Sequence, residues 1–152
     1  MILDAKHDFG IPAITTSNTA TKSPHSFNAG AAVKLFAGPA GEMKVRGKVA
    51  ITAGTSPTIT VRMIASDEED LDVDNSEASN DVLGEFFTNM KEDGSAVLAN
   101  GDSVNFEMPI QTQKVARQHY GLHVILDGTS PSCAAGETQV VRDAQTNMLG
   151  PT

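Results

Sequence analysis

The sequence predicts an all-β fold, built as an antiparallel β-sandwich. Two stretches, residues 43–63 and 104–126, alternate between apolar and polar side chains. Because successive side chains of a strand point to opposite faces, each stretch has one row for a core and one for solvent. Many short segments of this kind follow one another with Gly, Pro, Asn or Asp between them, which is typical of a sandwich or barrel.

The chain begins with a short apolar cluster that charged residues interrupt. Its members are Ile2, Leu3, Phe9 and Ile11. A segment of this length does not form a stable helix alone, so it is either an arm that docks on another surface or a first strand. We assign residues 1–11 to an N-terminal arm and residues 12–152 to a single β-sandwich domain. A loop-like composition follows over residues 12–30, and an apolar segment at 31–37 predicts a strand.

Residues 42–65 predict a hairpin. Its strands are residues 42–52 and 58–65, and Gly54 and Pro57 supply the chemistry of the turn between them. The hairpin's outer face would carry one basic stripe, formed by Lys44, Arg46, Lys48 and Arg62. Such a stripe is either an ordinary polar face or a contact for an acidic partner protein.

The rest of the chain shows further turns and short apolar segments. Residues 67–81 form an acidic loop, and the turn Asn100-Gly101-Asp102 favours a tight connection because Asn and Gly tolerate positive φ. Strands or mixed apolar segments are expected at residues 82–90, 95–99, 103–110, 118–126 and 138–143, with a loop at 129–137.

Composition limits the possible functions. A chain of 152 residues suits one domain, and a net charge of -8 argues against direct binding of nucleic acid, which needs a basic surface. We expect no membrane span, because no apolar run approaches about 20 residues, and no signal peptide at the N-terminus. The single cysteine, Cys133, cannot form an internal disulfide, which fits synthesis in a reducing cytoplasm.

The acidic loop is the first candidate for chemistry. Asp70, Asp72 and Asp74 have the spacing that opens a calcium-binding loop, and Asp81 lies at its closing position. However, Asn75 stands where a turn-forming Gly is needed, and no helix signal flanks the loop. We therefore interpret residues 67–81 as a solvated connection and expect no metal.

Catalytic machinery is not apparent. His119 and His123 would share one face of a strand as exposed or interface side chains, with no nearby residues to complete a zinc site. Cys133 has neither a helix start nor a neighbouring His to lower its pKa, so we expect a buried or tucked-in thiol. No nucleophile elbow or phosphate-binding glycine loop occurs. The sequence predicts a protein that is not an enzyme and that needs no cofactor.

The segments of the chain follow one another in a characteristic order. The chain starts with MILD and continues with GEMKVRGKVAIT and TITVRMIASD, then AVLANGDSVNFEMPI, QHYGLHVILDG and the closing TQVVRDAQ. This order resembles that of the small capsid cement, or decoration, proteins of tailed bacteriophages. It implies a jelly-roll-like sandwich that binds the outside of an icosahedral shell made of the major capsid protein. It also implies a homo-oligomer, either a homodimer or a homotrimer, located in the virion after synthesis in the host bacterial cytoplasm.

We expect the capsid contacts to come from the arm and from the basic stripe. The expected contact residues are Ile2, Leu3, Phe9, Lys44, Arg46 and Arg62. The alternative function is a jelly-roll adhesin module that binds carbohydrate or another ligand on the virion surface. Sugar sites often stack a ring on an exposed aromatic side chain, and this chain has no Trp and a single Tyr, Tyr120.

Overall fold

The predicted all-β antiparallel class is confirmed. The computed structural model describes residues 8–37, 43–73 and 80–142, and these contain strands, turns and loops but no helix. Accordingly, none of these residues belongs to a helix that is long and apolar enough to cross a membrane. The strands are β1 (Thr21–Lys22), β2 (Phe27–Val33), β3 (Met43–Ser66), β4 (Asn80–Thr88), β5 (Ser103–Pro109), β6 (Arg117–Cys133) and β7 (Thr138–Arg142).

Strand β3 organises the fold because it belongs to both layers of the core. Its first part pairs with β5 on one side and with β7 on the other. Its second part pairs with β4 and β6, and the far edge of β6 carries β1 and β2. The two layers are therefore parts of one curled antiparallel sheet, which wraps around the core as a half-barrel.

The predicted hairpin at residues 42–65 is wrong. Strand β3 runs through the expected turn, and β6 likewise runs through most of the segment that was expected to be a loop at 129–137. The two strands stay paired there, with Thr55 opposite Thr129. The Gly and Pro residues that suggested turns instead produce bulges with register shifts, which bend both strands from one layer into the other.

The N-terminal segment runs antiparallel to the connection between β6 and β7. Backbone bridges join Ile11 to Gly136 and Ile14 to Cys133. Thr138 anchors the same segment, since its Oγ1 accepts hydrogen bonds from the backbone N–H groups of Phe9 and Gly10. Residues 8–11 of the predicted arm thus pack on the domain.

The core is aliphatic with a few Phe, Met and Tyr side chains, and both layers contribute to it. Strands β3 and β5 supply its first half by the alternation that the sequence predicts, as in Val104, Phe106 and Met108. The fully buried residues of the second layer include Ile59, Val61, Met63, Tyr120, Leu122, Val124 and Leu126. Strands β5 and β7 lie where they were expected, whereas the strand predicted at 31–37 is displaced to β2.

Candidate functional site

The predicted basic stripe is divided in the structure. Since β3 is one continuous strand, Lys44 lies in the layer with β5, and Arg62 lies in the layer with β4. Lys44 Nζ is 2.7 Å from Glu107 Oε1, and Arg62 Nε is 2.8 Å from Glu85 Oε2. Both of these cations, which were expected to contact a capsid, are therefore paired within the chain.

Arg46 and Lys48 differ from their neighbours. Both side chains are exposed, and within the described part of the chain neither forms an ion pair or a side-chain hydrogen bond. Arg46 lies between Glu107 and Gln139 of the adjacent strands, and Lys48 is opposite Asn105. The middle of the three-stranded layer thus presents two cations that no residue in the described ranges pairs.

Arg46 lines one and Lys48 lines both of two adjoining shallow grooves, whose volumes are about 460 and 420 Å³. Lys48 and Glu137 line both, so the two form one continuous depression along β3, which we call the β3 groove. Phe106 and Gly47 contribute apolar and backbone surface to it. An open depression of this kind suits contact with another macromolecule better than enclosure of a small substrate.

The predicted arm residues fall into two groups. Phe9 is 0% exposed and packs in the core, so it has no surface with which to contact another protein in this fold. Ile2 and Leu3 lie outside the described residues. Phe9 therefore acts as a core residue, because the bridge between Ile11 and Gly136 draws the preceding segment onto the domain.

Arg117 closes the acidic loop at both ends. Its guanidinium contacts Asp67 and Asp81, at Nη1–Oδ2 and Nε–Oδ2 distances of 2.5 and 3.1 Å. The hydrogen bond that Arg117 Nε donates to Asp81 Oδ2 is the main cause that raises the pKa of Arg117 above its ordinary value. Asp74 lies outside the described residues, and the described ones contain no cluster of three or more His, Cys, Asp or Glu side chains that could hold a metal.

Of the two alternatives predicted for the histidines, exposed or interface side chains, the first is wrong. His119 and His123 are 8% and 6% exposed, and Leu71 lies against Gly121 and His123 of β6. His123 Nε2 is 2.7 Å from the backbone oxygen of Leu71, and Leu71 is itself fully buried. His123 is therefore held in place as a structural side chain.

Cys133 and Tyr120 are also buried. The thiol is 3% exposed, as predicted for a tucked-in cysteine, and burial raises the pKa of Cys133. Tyr120 is fully buried, its hydroxyl donates to Val33 O at 2.7 Å, and burial raises the pKa of its phenol. Tyr120 thus offers no platform for stacking a sugar, which weakens the adhesin alternative.

Sequence reasoning missed a feature at the bend between the layers. The tetrapeptide Gly-Thr-Ser-Pro occurs twice, at residues 54–57 in β3 and at 128–131 in β6. The two copies pair with each other, and Thr55 lies opposite Thr129. The repeated tetrapeptide is the signal in the sequence that points to this feature, and the pairing of its copies appears in the structure.

The two copies have the same backbone conformation. The φ angles of Gly54 and Gly128 are 123° and 129°, and those of Ser56 and Ser130 are 48° and 49°. A Cβ on Gly54 would lie 2.8 Å from Pro131 Cα, and one on Gly128 would lie 3.0 Å from Pro57 Cα. Thr55, Ser56, Thr129 and Ser130 are exposed. We call these four residues the corner patch.

The chain is similar over most of its length to part of one viral protein of known structure. Neither a protein-family model nor a curated protein matches the chain. A chain in the structure of the Gx strain of infectious bursal disease virus is similar, with 10% identity and a TM-score of 0.32. The match covers 93% of the present chain and 32% of the viral one. We draw no conclusion about function from a similarity of this size.

Proposed function

We propose that this chain is a structural virion protein that binds the outer surface of an icosahedral phage capsid and cements neighbouring subunits of the major capsid protein. The observation that carries the proposal is that Arg46 and Lys48 in the β3 groove form no ion pair with any described residue, in a chain whose net charge is -8. The resemblance of the segment order to phage cement proteins supports it.

The chemistry of the groove suits a protein surface. The sheet already holds the backbone of these two exposed cations in place. An acidic or polar loop of a partner can therefore bind them with little further loss of backbone entropy. Each such contact is weak when it is exposed to solvent. A lattice presents many copies of the same contact, and a protein that binds only the assembled lattice stabilises it by mass action.

Co-sedimentation with capsids that lack this protein tests the proposal. We expect the wild-type chain to pellet with the shells and to saturate at a fixed integer ratio to the major capsid protein. The variant Arg46→Gln/Lys48→Gln should bind about tenfold more weakly, which corresponds to roughly 1.4 kcal/mol. The control Lys34→Gln/Lys114→Gln makes the same change of charge at exposed sites away from the groove and should bind like the wild type.

Two results would contradict the cement proposal. One is the absence of saturable wild-type binding at an integer ratio. The other is equal weakening by the groove variant and by its control, since that would reduce the effect to net charge. Sedimentation of the free protein in the same buffer measures whether it is a homodimer or a homotrimer before it meets the shell.

We also propose that Ile2 and Leu3 anchor the chain to the shell. The informative truncation removes residues 1–7, because a longer one would remove Asp8, which accepts a hydrogen bond from Thr138 N, and then Phe9 of the core. We expect the truncated chain to keep its thermal midpoint and to lose shell binding, and Ile2→Ser/Leu3→Ser should reproduce the loss. Full binding by the truncated chain would remove these residues from the proposed contact.

A further inference from the structure

We infer that the corner patch is a second contact surface, and that it fits a pair of identical protein subunits related by a two-fold axis. The inference rests on the proposed function, which makes the pair two neighbouring capsid subunits. Its basis is the local two-fold relation between the Gly-Thr-Ser-Pro copies of β3 and β6, with the pair Thr55 and Thr129 nearest the axis.

The bend explains only part of this repeat. Both antiparallel strands cross from one layer to the other at the same place, and each of them needs a bulge there. Gly54 and Gly128 supply the backbone freedom for these bulges. Their reciprocal close approaches to Pro131 and Pro57 explain why no larger residue stands at either position. The hydroxyl-bearing residues between each Gly and Pro are not explained by the bend.

Serine is an unfavourable choice at the two left-handed positions. A non-glycine residue there crowds its Cβ against the backbone, so Gly or Asn would suit the conformation better. The Ser56 and Ser130 hydroxyls make no hydrogen bond with any described residue that would offset this cost. Strain that the fold does not require points to a role in binding.

The arrangement determines the kind of partner. A surface with a local two-fold axis can offer the same hydroxyl groups to two equivalent subunits at once, whereas an asymmetric surface cannot. The four side chains carry no charge, so they would exchange hydrogen bonds with polar groups of the partner. The symmetry is confined to the patch, because Ala99 flanks Thr55 while the Ser17 hydroxyl bonds Asp127 and the backbone oxygen of Gly128.

The test compares matched variants in the same co-sedimentation titration with capsids that lack the protein. Ser56→Gly and Ser130→Gly each remove one hydroxyl and suit the local backbone, so the chain stays folded. We expect each to weaken binding by about three- to tenfold, the effect of one lost hydrogen bond, and by equal factors within about twofold. Together they should weaken it by about the product, with saturation at one copy per two capsid subunits.

Bulky variants extend the test. Thr55→Arg and Thr129→Arg place a large side chain on either side of the local axis, and we expect equal losses of affinity from the two. Ser95→Arg makes the corresponding change at an exposed residue on another turn and should bind like the wild type. Thermal unfolding of every variant, followed by circular dichroism, verifies the fold.

The outcomes separate the two proposals. If the wild-type chain does not bind the shells, both fail. If it binds and the two glycine variants retain its affinity, only the corner-patch inference is overturned. A loss confined to one copy of the tetrapeptide also overturns it, because that result describes an asymmetric contact.

Discussion

Leu71 packs against the backbone of Gly121, and this contact holds the acidic loop against the sheet. A Cβ on Gly121 would lie 2.6 Å from Leu71 Cδ1 and 3.0 Å from Ser23 Oγ. Leu71 is fully buried although its φ of 58° is unfavourable for leucine. The missing side chain of Gly121 therefore creates the space that Leu71 fills, and His123 holds the backbone oxygen of Leu71 from the same strand.

Gly121→Ala should destabilise the fold by about 1–3 kcal/mol, because the added methyl group overpacks this site. Leu71→Ala should cost about 2–4 kcal/mol through the lost burial of the side chain. The double variant should cost less than the sum, since each change relieves the other. Urea denaturation of the four proteins gives the coupling free energy, and strict additivity would show that the two residues do not compete for one space.

Arg117 also holds the acidic loop to the sheet, through a separate set of contacts. Its side chain is 12% exposed and bridges Asp67 and Asp81, so Arg117→Met should lower the free energy of unfolding by about 1–3 kcal/mol. The control is Lys91→Met, because Lys91 Nζ is 3.8 Å from Asp102 Oδ1 and its side chain is 41% exposed. An exposed pair of that kind contributes about 0–1 kcal/mol. Equal losses in the two variants would contradict a special role for Arg117.

Much of the fold could be predicted because alternation is a local signal. Strands β5 and β7 and the tight turn at Gly101, whose φ is 89°, follow directly from their own residues. The continuity of β3 and β6 could not be predicted in this way. Gly and Pro serve turns and bulges equally, and the choice here depends on each strand having the other as its partner through the bend.

The burial of the candidate site residues depends on contacts between distant parts of the chain. The sequence around His123 predicts an exposed side chain, but in the structure it is covered by Leu71, which is 52 positions away. The sequence around Phe9 predicts an anchor for a partner protein, but in the structure Phe9 lies in the core because the neighbouring Ile11 pairs with Gly136. The pairing of Lys44 with Glu107 is of the same kind, since it appears only when β5 is placed beside β3.

We expect the hydroxyl group of Thr138 to make the largest side-chain contribution to holding the N-terminal segment on the domain. Its Oγ1 accepts from two backbone N–H groups, and Asp8 Oδ1 in turn accepts from Thr138 N at 2.7 Å. Thr138→Val keeps the shape but removes the acceptor, so it should cost about 1–3 kcal/mol.

The loss should be visible in hydrogen exchange. We expect faster exchange in residues 8–14 and little change in β4, because only the first of these depends on the Thr138 hydroxyl. Thr52→Val is the matched control, since its exposed hydroxyl meets Ser132 Oγ at 2.7 Å and should contribute a few tenths of a kcal/mol at most. Unchanged exchange in residues 8–14 would mean that Asp8 and the backbone bridges hold the segment without Thr138.

Stability should fall as the pH rises above about 9, with Cys133 as the first cause. The pKa of its thiol is raised by burial above the ordinary value of 9.0, and that of the Tyr120 phenol is raised above 10.0. The unfolded chain releases the thiol proton from about pH 9, whereas the folded chain retains it. Because the folded state then binds more protons, each further pH unit favours unfolding by up to about 1.4 kcal/mol per group.

Cys133→Ala isolates the contribution of the thiol. The variant starts from a lower stability because it loses buried volume, so the comparison concerns the slope of the free energy of unfolding with pH and not its absolute value. Between about pH 8.5 and 10 the wild-type free energy should decline, while that of the variant should stay nearly level until Tyr120 ionises in the unfolded chain. Urea titrations across this range, followed by circular dichroism, measure both slopes. Parallel slopes would mean that the buried thiol ionises as readily in the folded chain as in the unfolded one, which its 3% exposure makes unfavourable.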